Sequence, residues 1–255
     1  MKRTILMLAV CVLVFAAAAS AEVFTISNIS GGWTNPVPSS GVATINNPGT
    51  VSWGSDINGN TANPQSSYVW ASMTNGSTVT VDTPFAIGTF THNNYPVFEP
   101  SLTSVDRTLG FTVNSGFGSA TLPTYTFSFK HEETPNTEPC DYFGGDPCAD
   151  KVTITNIPVN VAFTLGSDGI VEYYFSLLGF GTSPYEISST YITWEGQSNI
   201  ASLYAVITSI PITPTCGGID QEPCAPNVPE PGSILLLGTG IIGIGFAARR
   251  RFGKK

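Results

Sequence analysis

The chain has 255 residues, 42% of them hydrophobic and only 11% charged, with 10 basic against 18 acidic residues and a net charge of −8. These proportions exclude a disordered chain and set a size of one or two domains. Most of the basic residues sit at the two ends, so residues 22–231 keep only Arg107, Lys130 and Lys151 against all 18 acids. Such a surface repels a phosphate backbone, which excludes nucleic-acid binding.

The first predicted element is a leader. Lys2 and Arg3 precede an apolar run from Ile5 to Ala19, and Ala19-Ser20-Ala21 supplies the small-x-small pattern of a signal-peptidase site before Glu22. Residues 1–21 therefore read as a secretory signal peptide, with signal peptidase as a partner during export.

Residues 22–210 read as an all-β ectodomain, an antiparallel sandwich or jelly roll. Thr and aromatic residues are abundant, Leu is scarce, and several stretches alternate at period two. Val79 and Val81 alternate with Thr78, Thr80 and Asp82. Tyr125, Phe127 and Phe129 alternate with Thr126, Ser128 and Lys130. Val152 and Ile154 alternate with Thr153 and Thr155, and Leu203, Ala205 and Ile207 share a face. Turn signals at Asn58-Gly59, Asn75-Gly76, Asn114-Ser115-Gly116, Ser167-Asp168-Gly169, Gly181-Thr182-Ser183-Pro184 and Gly196-Gln197 separate them. One large sandwich accommodates this length, and a split near the Pro-rich loop 132–150 is the alternative.

Residues 211–227 shift to Pro, Gly and Cys and read as a linker. Loss of the leader removes Cys11 and leaves Cys140, Cys148, Cys216 and Cys224, an even number in an exported chain. Proximity favours two local disulfides, Cys140 to Cys148 and Cys216 to Cys224, among the three pairings that four cysteines permit. A four-cysteine zinc site is disfavoured because structural zinc usually takes ligand pairs two to four residues apart.

The C-terminal segment, residues 228–255, has three parts: Val228-Pro229-Glu230-Pro231, an uncharged stretch over 233–248, and a basic tail at 249–255 that opens with Arg249, Arg250 and Arg251. As helix the middle part spans about 24 Å, short of the roughly 30 Å hydrocarbon core, so it suits a transient membrane anchor with the arginines as topological stop. In this order the three parts resemble the PEP-CTERM sorting signal of Gram-negative bacteria. The resemblance implies recognition by an exosortase and delivery to the cell surface or extracellular matrix. Gly238-Thr239-Gly240-Ile241-Ile242-Gly243 matches a dinucleotide-binding pattern by spacing alone, without the βαβ unit that the fingerprint needs.

Within the ectodomain, Thr91-His92-Asn93-Asn94-Tyr95-Pro96, Glu133-Thr134-Pro135-Asn136, Leu177-Leu178-Gly179-Phe180 and Glu195-Gly196-Gln197 followed by Asn199 resemble motifs of the choice-of-anchor K domain, over residues 53–210. That family is named for its association with different surface anchors, so the resemblance implies no activity. Read on its own residues, the segment with Thr91, His92, Asn94 and Pro96 caps a turn leaving a strand over 85–90. A catalytic or metal-ligand role for His92, with His131 as companion, requires converging groups that the sequence does not display.

Other chemistry is weighed by residue type. Glu132, Glu133, Glu172 and Glu195 are the stock for a glycosidase pair, but no hydrolase motif accompanies them, and the expectation is a protein that is not an enzyme and needs no cofactor. Glu138, Asp141, Asp146 and Asp150 on one acidic loop are a weak calcium candidate. Trp33, Trp53, Trp70, Trp194, Tyr173 and Tyr191 are the aromatics from which a sugar-stacking platform would come. The expected role is structural or adhesive, with binding of extracellular polysaccharide as the alternative and a secreted glycoside hydrolase as the remoter one.

Overall fold

The computed structural model describes residues 22–38, 43–55, 58, 60–98, 101–135, 139–142, 148–166 and 171–212. The expected signal peptide, the sorting segment, and Glu138, Asp146, Cys216 and Cys224 lie outside these residues. Among the described residues every regular element is a β-strand.

The strands form two antiparallel sheets of eight. The first contains β1 (Val23–Ser30), β2 (Trp33–Val37), β6 (Ser77–Thr80), β8 (Ser104–Ser115), β9 (Gly118–Thr121), β10 (Tyr125–Glu132), β11 (Asp150–Thr155) and β15 (Thr190–Thr193). Its order is β15-β11-β10-β8-β1-β6, with β2 and β9 also paired to β8. The second contains β3 (Ala43–Asn47), β4 (Thr50–Ser55), β5 (Thr61–Ser72), β7 (Phe85–Asn94), β12 (Val161–Leu165), β13 (Val171–Ser183), β14 (Glu186–Ser188) and β16 (Gln197–Thr208). Its order is β12-β13-β16-β7-β5-β4-β3, and β14 pairs with β13.

Alternation decides which side chains meet between the sheets. Along β10, Tyr125, Phe127 and Phe129 are buried while Thr126 and Lys130 are exposed, and along β11 Val152 and Ile154 point inward. The inner faces interlock through rings: Phe90 of β7 stacks on Phe129 of β10 at 5.2 Å, and Phe24 of β1 meets Tyr173 of β13 edge-on at 5.0 Å. Such pairs add roughly 0.5–1.5 kcal/mol each beyond their buried area. The strands preceding and following loop 132–150 are neighbours in one sheet, since β10 pairs with both β8 and β11. The split into two domains at that loop is therefore not what forms.

Two details depart from a simple one-face alternation. Strand β16 buries Leu203, Ala205 and Ile207 on the core side, but Tyr204 and Val206 are buried too, in a second small cluster with Leu178 and Ile212. Ile187 of the β14 flap packs on it. Ile212 is tied down by Asn160, whose side chain donates to its carbonyl at 2.6 Å and accepts its N–H at 2.8 Å. The packed domain thus runs past the expected boundary at residue 210, because an outer apolar patch on β13 and β16 needs that cover. Left-handed backbone at non-glycine positions falls on Asn28, Asn35, Asp82, Asn156 and Asn160. These are the residue types that tolerate it at least cost.

Candidate functional site

At one end of the sandwich the inward columns of three strands turn from apolar to ionisable. On β7 the buried series Ile87, Phe90 continues to His92 and Asn94. On β10 it continues from Phe129 to His131, and on β11 it begins with Asp150. His92 is therefore a strand residue in the core, not part of a turn, because β7 runs four residues beyond the expected end at 90. The two imidazoles, the only histidines of the chain, face each other across the sandwich with ring centroids 5.3 Å apart.

Register supplies the neighbours. Tyr68 of β5 lies opposite His92, and its hydroxyl crosses to the other sheet to reach His131 Nδ1 at 2.6 Å. Thr193 of β15 lies opposite Asp150, and its hydroxyl sits 2.8 Å from His92 Nδ1. Trp53 of β4 stacks on His92 at 5.5 Å and meets His131 edge-on at 5.2 Å. Asn94 donates to the Thr193 carbonyl at 3.2 Å.

Two loops close the end. After β10, Glu133 lies 3.2 Å from His131 Nε2 through its Oε2, which also accepts from Ser101 at 2.8 Å. Thr134 gives Asp150 Oδ1 its backbone N–H at 2.8 Å and its hydroxyl at 3.2 Å. The Cys140 to Cys148 disulfide forms, and it closes the loop two residues before Asp150. Between β15 and β16 the turn carries Glu195, and the Asn199 side chain holds that turn by accepting from Trp194 N–H and donating to the Trp194 carbonyl, both at 2.8 Å. By donor type, His92, His131 and Asp150 form one set whose ligand atoms lie within 4.8 Å of one another, and Glu133, Asp150 and Glu195 form a second.

The electrostatics follow from burial. Desolvation, with the neighbouring His131, holds His92 well below the usual imidazole value. Burial, then the Glu133 charge, pushes Asp150 up to about 6, against the opposing pull of His131 and the Thr134 hydrogen bonds. Burial, then Asp150 and Glu133, pushes Glu195 up to about 8, opposed by Asn94 and the Gly196 backbone. Tyr68 is raised by burial and by the same two carboxylates. His92 and Asp150 are 0% exposed and His131 is 3%. A sugar or peptide has no access to groups so covered, whereas an ion or a proton requires only a gap between side chains.

The other candidates are dispersed. Glu132 is on the surface, bound by Lys130 at 2.9 Å and lying 3.6 Å from Lys151. Glu172 is exposed and accepts from Tyr174. Asp141 is exposed, whereas Asp150 is buried. Of the aromatics proposed for sugar stacking, Trp33, Trp53, Trp70 and Tyr173 are core, and Tyr191 is half-buried against Phe90 and Phe180. Trp194 is exposed. Thr91 is half-buried and Pro96, past the end of β7, is exposed.

Sequence reasoning weighed His92 with His131 and named Glu133, Glu195 and Asp150 separately, but it did not bring them to one place and it missed the parts played by Tyr68 and Thr193. The signal was present in the alternation: Phe127, Phe129, His131 and Asp150, Val152, Ile154 are each one column at period two.

Comparison with known proteins bears on the C-terminus. Residues 227–251 match the PEP-CTERM protein-sorting motif. The chain carries that motif, which implies exosortase processing and export to the cell surface after membrane-anchored handling. No curated protein matches the chain.

Proposed function

We propose that the chain is a structural or adhesive component of the bacterial surface or extracellular matrix, not an enzyme, delivered there through Val228-Pro229-Glu230-Pro231. The observation that carries this reading is the sorting motif at 227–251. The two-sheet domain agrees with it: the ionisable cluster is closed to macromolecular substrates, and the candidate aromatics go mainly to the core. The uncharged stretch 233–248 serves as the membrane-held recognition element, and Arg249, Arg250 and Arg251 stop transfer on the cytoplasmic side.

Replacement of Pro229 and Pro231, or deletion of Arg249 to Arg251, is expected to retain the protein in the inner-membrane fraction. Cell fractionation with surface protease accessibility reads this out. Undiminished surface delivery of both variants overturns the sorting assignment. The adhesive role is tested by co-sedimentation with the producing cell's purified polysaccharide and by intercellular aggregation of a deletion strain. Wild-type aggregation and matrix composition in that strain contradict the role.

A further inference from the structure

We infer that His92, His131 and Asp150, with Glu133 and Glu195 beside them, form a buried binding site for one divalent transition-metal ion of the zinc class, which clasps the two sheets together. The inference rests on none of the sorting argument.

Thr193 Oγ1 lies 2.8 Å from His92 Nδ1 and 3.4 Å from the Asp150 carbonyl. In the tautomer with Nδ1–H donating to that oxygen, the Thr193 proton goes to the carbonyl and His92 Nε2 is a bare lone pair. That nitrogen is buried and has no hydrogen-bond partner. Asp150 divides as well: Oδ1 accepts the Thr134 N–H at 2.8 Å and lies 3.2 Å from the Thr134 hydroxyl, which the Ala149 carbonyl shares at 3.1 Å, while Oδ2 is buried without a hydrogen-bond partner, 4.0 Å from His131 Nε2. Two strong acceptors thus lie in a fully desolvated place with nothing to accept from, an arrangement that is costly unless an electron-pair acceptor sits between them.

Charge points the same way. Three carboxylates have oxygens within 4.8 Å of one another, and among the described residues no lysine or arginine makes an ion pair with any of them. Among the described residues His131 is the basic side chain that pairs with Glu133 and Asp150. Asp150 belongs to both donor sets. Ligand atoms around zinc at about 2.0–2.2 Å are roughly 3.3 Å apart in a tetrahedron, so closing on an ion requires movements of about an ångström.

Donor chemistry selects the ion. Calcium takes six to eight oxygens and avoids imidazole, whereas two imidazoles with carboxylates suit zinc, manganese or iron(II). Both imidazoles already have the outer partner that orients a metal-bound histidine: Thr193 on His92 Nδ1 and Tyr68 on His131 Nδ1. For His131 to ligate, its Nε2 must be free of hydrogen, which the neutral ring achieves by carrying its proton on Nδ1 with Tyr68 Oη as the acceptor. The ion joins β7 of one sheet to β10 and β11 of the other and fixes the turn carrying Glu195. Closure from solvent makes its role structural.

The test uses the full chain in detergent, with disulfides oxidised and metal removed by chelation. Titration with zinc chloride is expected to show one equivalent bound and to raise the thermal midpoint. Calcium chloride is expected to do neither. His92→Gln abolishes uptake, and Thr193→Val, which keeps the ligands but frees the imidazole, weakens it about 10–100-fold. Should His92→Gln fail to regain a native near-ultraviolet circular dichroism spectrum, Thr193→Val carries the decision. No uptake of zinc, manganese or cobalt by natively folded chain, uptake unchanged in the variant that decides, or preference for calcium each overturns the inference.

Discussion

Arg107 offers the sharpest test of how the core is balanced. Its side chain is 3% exposed, with the guanidinium 5.4 Å from the Trp33 ring and 5.2 Å from the Trp70 ring. Nη1 donates to the Pro48 carbonyl at 2.5 Å, Nε has no partner, and no carboxylate of the described residues pairs with it. Burial pushes its pKa down from 12.5 to about 10. A shift of that size corresponds to a penalty of about 3–4 kcal/mol for keeping the charge inside. Two cation–π contacts, each about 0.5–2 kcal/mol, and one charged hydrogen bond of about 1.5–3 kcal/mol offset it. Arg107→Ala removes all of the attractive terms, leaves the Pro48 carbonyl with the Trp33 N–H as its donor and opens a gap between two indoles, for a net loss of about 3–5 kcal/mol. Arg107→Met loses the same charge and hydrogen bond but fills the gap, so it is expected to cost about 2 kcal/mol less than Ala. Urea unfolding followed by tryptophan fluorescence reads both variants directly, because Trp33 and Trp70 are the reporters. An alanine variant within about 1 kcal/mol of wild type, or a methionine variant as unstable as alanine, refutes the reasoning.

In chelator-treated protein, stability is expected to fall as pH rises from about 5 to about 8. Glu195, raised to about 8 in the folded state, holds a proton that the unfolded chain has already released, so its contribution is full below its unfolded value and lost as pH rises through the folded one. Urea midpoints across that range check it: a rising midpoint, or a slope unchanged in Glu195→Gln, is the contrary result. Gly31→Ala should cost about 2–4 kcal/mol, since its φ is +142° and an added Cβ would lie 2.0 Å from the Thr108 carbonyl oxygen. A variant as stable as wild type in urea contradicts the backbone placement. Removal of the Cys140 to Cys148 bridge by double replacement is expected to cost about 2–3 kcal/mol from loop closure alone. A loss above about 5 kcal/mol would mean that this bond holds the fold and not merely a loop.

Much of the sheet architecture was legible in the sequence because period-two alternation is a local property. The columns at 125, 127, 129 and at 152, 154 point inward as the pattern says. Strand β16 was legible on one face only: Tyr204 and Val206 look like outward positions until the β14 flap and Ile212 cover them, and that cover is set by distant chain. His92 reads as a turn residue because Thr, His, Asn and Pro are turn builders. Its burial is imposed by pairing with Tyr68 on one side and Asn199 on the other.

The site was invisible for the same reason. Asp150 looks like one of several acids on a polar loop, yet registration against Thr193 turns it into the core, while Asp141 a few residues earlier remains exposed. Arg107 carries no sequence mark that it will lie between two tryptophans. The motifs around His92, Glu133 and Glu195 are far apart in the chain, and only the packing of one sheet on the other brings them to a common point. The terminal sorting signal needed no packing to be read, since it is a linear arrangement of proline, apolar and basic residues.

X-ray absorption at the zinc edge, on the full chain loaded with one equivalent, tests the metal clasp most directly. The account predicts nitrogen and oxygen neighbours at about 2.0–2.2 Å, with the outer-shell scattering of two imidazoles, one for each histidine of the chain. A sulfur shell at about 2.3 Å, or scattering from fewer than two imidazoles, would place the ion elsewhere and contradict it.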